Sequence, residues 1–148
     1  MKKIFFIIIA VFFCMVSVLT PAMADNKKQI QTSELPAAAQ QIIKKHFADK
    51  KVAMANYDAE WGDKKYKVVF TSGESIEFNR KGEWTEIEGN GNVVPAALIP
   101  QGIMKYVKAN YPKTKITKIE KNKKSYDVKL SNRIELEFNN KYQVTDID

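Results

Sequence analysis

Three acids crowd one short stretch: Asp58, Glu60 and Asp63 stand around Trp61-Gly62 in "NYDAEWGDKKY", residues 56–66. Carboxylates are the hard oxygen donors that calcium prefers, so the triplet is a candidate calcium site. Its spacing departs from an EF-hand loop, and Asp and Gly also gather in turns for local hydrogen-bonding reasons. The same stretch holds Tyr57, Trp61 and Lys65, with Lys67 just beyond it. This combination reads as a partner-binding surface anchored by Trp61, because an exposed Trp buries a large area at small entropic cost and is over-represented at binding hot spots.

Nucleophilic and acid–base chemistry finds little support. The one histidine, His46, lies between Ile43 and Phe47 on a helix flank, the place of a boundary residue rather than a general base. No Gly-x-Ser-x-Gly elbow, phosphate-binding glycine loop, His-Glu-x-x-His or paired-cysteine motif occurs. Glu135 and Glu137 share a strand face, as alternating residues on a solvated strand do, and no pocket pattern marks either for a raised pKa. The expectation is a protein that is not an enzyme and needs no cofactor, calcium being the candidate ion.

The chain's start defines its compartment. Lys2 and Lys3 precede an apolar run from Ile4 to Leu19, and Ala22-Met23-Ala24 is a small-x-small cleavage site. Residues 1–24 read as an export signal, leaving a mature chain that begins at Asp25, has no transmembrane segment and is periplasmic or secreted. The only cysteine, Cys14, leaves with the signal, so the mature chain has neither disulfide nor thiol nucleophile. Without Lys2 and Lys3, 22 basic and 17 acidic side chains remain, a formal charge of +5. Export argues against nucleic acid as partner. The lysines at 113, 115, 118, 121, 123 and 124 read as protection of a short edge strand against sheet aggregation, with a basic surface facing the envelope as the alternative.

The elements that would hold these residues appear twice. Leu35, Ala39, Ile42, Ile43 and Phe47 form one apolar stripe of 3.6-residue period after Leu35-Pro36; Ile99, Ile103, Tyr106, Val107 and Tyr111 form another after Ile99-Pro100, 64 residues on. Each proline suits the start of a helix, where its missing N–H has no partner to lose. The period then falls to 2. Tyr66, Val68, Phe70, Ile76 and Phe78 alternate with polar residues, and Tyr126, Val128, Leu130, Leu136 and Phe138 repeat them at an offset of 60. Flanking strands are expected at Val52 to Asp58 and Trp84 to Glu88, with counterparts at Ile116 to Glu120 and Val144 to Asp148.

The fold class is therefore α+β: a tandem repeat of one helix plus a four-stranded antiparallel meander, forming one extended sheet with helices on one face. Residues 25–88 make the first unit, 89–94 a linker and 95–148 the second unit. The other sheet face would present Lys65, Lys67, Val69 and Glu77, then Asp127, Lys129, Glu135 and Glu137.

The order "LP…IIKKHF…YKVVF…GESIEFNRKGEW", then "VPAALIP…IMKYV…YP…ITKIE…YDVKL…IELEFN", resembles the PepSY-like, β-lactamase-inhibitor-like periplasmic proteins of Bacteroidetes-type bacteria, over nearly all of the mature chain. The resemblance implies an architecture similar to β-lactamase inhibitory protein, whose sheet grips an enzyme, and a looser relation to PepSY modules, some of which restrain proteases. The implied partner is another exported or periplasmic protein. This chain lacks the inhibitor's disulfide cysteines and has shorter units, so no inhibitory residue carries over. A ligand- or calcium-sensing envelope protein using Asp58 to Asp63 is the other reading the residues support.

Overall fold

The stripe after each Leu/Ile-Pro pair folds as a helix and the alternating segments as strands in the computed structural model, which describes residues 27–59 and 62–148. The expected signal peptide lies outside these residues. In chain order the elements are β1 (Lys27–Ile30), α1 (Ala37–His46), β2 (Val52–Asp58), β3 (Lys65–Phe70), β4 (Ser75–Asn79), β5 (Trp84–Glu88), α2 (Gln101–Asn110), β6 (Ile116–Lys121), β7 (Ser125–Leu130), β8 (Glu135–Asn139) and β9 (Val144–Ile147).

Pro36 and Pro100 are the N-cap residues of the two helices, with φ of −52° and −53°. Each helix closes on a buried or half-buried aromatic, Phe47 or Tyr111, whose N–H donates to the carbonyl of Ile43 or Val107. Lys44, Lys45 and Lys108 in the last turns complement the helix dipoles.

All nine strands form one antiparallel sheet in sequence order, β1 to β9. β1 has no counterpart in the alternation, because "KKQI" carries a single apolar residue. It is recruited by the unpaired backbone of β2 and aligns Ile30 with Ala55 and Gln29 with Asn56. The sheet continues through the seam between the units, where Ile87 of β5 faces Ile119 of β6. β6 is therefore an interior strand, and the reading of its lysines as edge protection is corrected: β5 already occupies the edge those lysines would have guarded. Residues 89–94 are fastened to β6, with the Gly89 N–H donating to Thr117 O at 2.7 Å and that of Val94 to Ile116 O at 2.9 Å.

Four irregularities interrupt the pairing at equivalent places, near Ala53 and Thr117 in one pair of strands and near Thr85 and Thr145 in the other. Each inserts one residue, so "WTEI", "VTDI" and "ITKI" place both end residues on the helix-side face at a spacing of three. The core between sheet and helices contains Val68, Phe70, Ile76, Phe78 and Ile87 with Leu35, Ala39 and Phe47, and Val128, Leu130, Leu136, Phe138 and Ile119 with Ile99, Ile103 and Val107. Phe47 stacks on Phe70 at 5.0 Å, and Tyr106 meets Phe138 edge-on at 5.4 Å. The helices thus cover one sheet face and leave the other bare.

Candidate functional site

Pairing register decides what the bare face presents. One row runs straight across the strands: Glu77 faces Glu86, Glu86 faces Glu120, Glu120 faces Asp127, Asp127 faces Glu137, and Glu137 faces Asp146. Six carboxylates on six consecutive strands therefore form one line. Adjacent strands lie about 4.8 Å apart, so the line is about 24 Å long. Beside it runs a second row, Glu88, Lys118, Lys129 and Glu135.

The lysines reach the acids unevenly. Lys118 Nζ lies 3.5 Å from Glu86 and 3.8 Å from Glu88, Lys129 Nζ lies 2.9 Å from Glu135, and Lys67 Nζ lies 3.0 Å from Glu77. Asp127 accepts a hydrogen bond from Asn122 Nδ2 at 2.7 Å. Glu120, Glu137 and Asp146 have no ion pair at this distance among the described residues. Partial burial, then the charges of Glu86, Asp127 and Glu77, raise the Glu120 pKa against the opposing pull of Lys118. Partial burial would depress the Lys118 ammonium, but Glu86 and Glu88 outweigh it and hold its pKa above the ordinary lysine value. A shallow concavity of about 550 Å³ lies over β6 and β7, bounded by Glu88, Lys118, Glu120, Asp127, Lys129 and Glu135. The arrangement can hold and orient cationic groups, and no nucleophile–base pair faces it.

The residues singled out in the sequence divide between the two faces. Lys65 and Lys67 stand on the bare face, in register with Asn79 and Glu77. Asp58 is on that face as well, between Lys27 and Lys65. Tyr57 is not, because it shares the parity of Tyr66, and the two rings lie 5.3 Å apart on the helix side. Asp63 is exposed in the β2–β3 connection. Glu60 and Trp61 lie outside the described residues, and among those described no three His, Cys, Asp or Glu side chains converge as metal ligands. Glu86, Glu120 and Asp146 escaped the sequence reading. The three-residue spacing of Trp84 with Ile87 and Val144 with Ile147 was the available signal, since it marks the inserted residue that turns Glu86 and Asp146 outward.

These features define a class: exported helix-on-sheet repeat proteins with one naked sheet face. The sequence matches the family described as "Putative beta-lactamase-inhibitor-like, PepSY-like" over residues 22–61 and 64–146, and the chain belongs to that family. It is similar to a solved structure described as a putative periplasmic protein of Bacteroides vulgatus ATCC 8482, at 50% identity and TM-score 0.83, covering 84% of this chain and 98% of that one. A structure described as a putative calcium-regulated periplasmic protein of Bacteroides thetaiotaomicron matches at 50% identity and TM-score 0.82 with the same coverage. A third, described as a putative periplasmic protein of unknown function from Bacteroides vulgatus ATCC 8482, matches at 37% identity and TM-score 0.78 over 82% and 98%. No curated protein matches the chain. The protein is periplasmic, like these relatives, and no helix among its described residues is long and apolar enough to cross a membrane.

Proposed function

We propose that the protein is a non-enzymatic binding module that inhibits or regulates another exported protein through its bare sheet face and the first-unit hairpin. The observation that carries this reading is the asymmetry of the sheet: the helices bury one face, while ordered rows of charge occupy the other. The family's inhibitor-like description supports it. Trp61, with Lys65 and Lys67 close to it in sequence, is the anchor this reading assigns, and Tyr57 packs on Tyr66 on the helix side.

The test is capture from periplasmic extract with the mature protein, whose N-terminus the reading places at Asp25 and intact mass measures. With the captured protein identified by mass spectrometry and its affinity measured, Trp61→Ala should weaken binding by about 2 kcal/mol or more. Folding should stay within about 0.5 kcal/mol, as for a surface site. A variant that folds and binds equally well removes the hairpin from the interface.

A second reading, calcium sensing, draws on the relative described as calcium-regulated and on Asp58, Glu60 and Asp63. It expects millimolar calcium to raise the melting temperature and Asp58→Asn with Asp63→Asn to abolish the rise. An unchanged melt with calcium rejects it.

A further inference from the structure

The second unit lines up acids where the first does not. At the equivalents of Glu120 and Asp127 the first unit carries Asn56 and Lys67, and Lys67 makes an ion pair with Glu77. The fold is thus built once without the uninterrupted row and once with it. Like charges placed directly opposite on neighbouring strands destabilise a sheet, and Glu86, Asp127 and Glu77 add to the partial burial that raises the pKa of Glu120. The charge is also segregated. Glu88, Glu135 and Asp148 join the row's face; among the described residues Lys118 and Lys129 are the cations that oppose them on the strands β6 to β9, with Arg133 of the β7–β8 turn lining the same concavity, although the whole chain has 24 basic and 17 acidic residues. A net acidic face on a basic protein complements a basic partner and repels copies of itself set face to face.

We infer that the carboxylate row seats a basic, extended polypeptide segment of another exported protein, laid across the strands from β4 to β9. The inference rests on the reading of the bare face as the working surface, and it adds the chemistry of what binds there. An extended segment presents side chains to one face about every 6.8 Å, so a row of about 24 Å meets three or four lysines or arginines. The concavity over β6 and β7 gives the segment's backbone room where Glu120 and Asp127 face each other. Lys118 and Lys129, held by their own glutamates, border the row on one side and bar a second cationic strand.

The experiment is a titration of the mature protein with labelled peptides of about ten residues, alternating Lys–Thr, Glu–Thr and Ser–Thr. It is read by fluorescence anisotropy and by amide shifts in NMR spectra. The Lys–Thr peptide should bind saturably and shift amides of β5 to β8. The triple variant Glu120→Gln, Asp127→Asn, Glu137→Gln should lose about tenfold or more in affinity. A triple with the same change in net charge elsewhere, Glu34→Gln, Asp49→Asn, Glu83→Gln, should stay within about twofold, because placement and not total charge decides. Equal losses in the two triples, or Lys–Thr shifts confined to the helix side, overturn the inference. Calcium ions that shift the row while the Lys–Thr peptide does not also overturn it, in favour of a metal-binding face. If the Ser–Thr or Glu–Thr peptide seats on the face instead, the working surface stands and the basic partner falls. If no peptide shifts the face, both the surface reading and this inference fall.

Discussion

The two units solve one packing problem with the bulk on opposite sides. In the first, the β4–β5 turn carries Gly82 with φ of +83°, and α1 sits so close that a methyl at Gly82 would meet the Ala39 nitrogen at 2.8 Å and the Ala38 methyl at 3.1 Å. In the second, the turn carries Tyr142 with φ of +59°, and the helix residue equivalent to Ala38 is Gly102, where a methyl would meet the Tyr142 ring at 2.6 Å. The preceding hairpin shows a related exchange: Gly73 in the first unit is Arg133 in the second, both at positive φ. Asn79 and Asn139 brace the later turns alike, each accepting two backbone N–H groups through its side-chain oxygen. The repeat thus fixes backbone shape and leaves open which element supplies the volume.

Truncating the equivalent phenylalanines tests the equivalence most severely. Phe78 and Phe138 are both fully buried, and each change to Ala should cost about 3–5 kcal/mol in denaturant melts. A large effect in one unit with a negligible one in the other would mean the units do not share the core described above.

The helix–turn exchange offers a sharper test. Gly102→Ala alone should cost about 1–3 kcal/mol through overpacking against Tyr142. Combined with Tyr142→Gly it recreates the first unit's Ala–Gly pair, and the double-mutant cycle should give a favourable coupling of about 0.5–3 kcal/mol. Additive losses would show that the two contacts are not counterparts. Arg133→Gly, which copies Gly73, should raise stability by about 0.5–1 kcal/mol by releasing a left-handed backbone from its Cβ, and a lower melting temperature would contradict that strain.

The smallest effect concerns the bare face. Glu120→Asn, the first unit's residue, should gain about 0.2–1 kcal/mol at neutral pH by removing like-charge contacts. Partial burial, then the neighbouring carboxylates, hold the folded-state pKa of Glu120 above the ordinary 4.5, so its ionisation works against folding above that raised pKa. The repulsion fades as pH falls through the raised pKa. The variant's advantage should therefore be largest at neutral pH and vanish below about 4.5, and an advantage independent of pH would exclude repulsion as its cause.

Local pattern and long-range register contributed differently to what the sequence revealed. Both helices, the paired meanders and the inward Phe78 and Phe138 follow from periodicity, which each segment carries in itself. β1 does not, because its place depends on the unpaired edge of β2 rather than on its own residues. The side on which Tyr57 stands was hidden for a related reason: its type suggests contact, but strand parity sends it to the helix side. The carboxylate row was the least legible, since its six members come from six strands and align only after the residues inserted near Thr85, Thr117 and Thr145 are counted.

The seam at β5 and β6 is a joint that the structure uses once and displays twice. Ile87 is 1% exposed because Ile119 and the second unit cover it, whereas its counterpart Ile147 on β9 is 51% exposed. Glu86, Ile87 and Glu88 on one strand become Asp146, Ile147 and Asp148 on the other. The units follow one another along an open sheet in which β9 does not return to β1, so the strand order itself sets no limit to the number of modules. In such a ribbon each module contacts only its neighbours, and stability accumulates interface by interface. The outer edge of β9 is, in that sense, a connector of known shape, on which a third helix-and-meander cassette beginning with a copy of residues 89–121 would find the same seat that β5 offers β6.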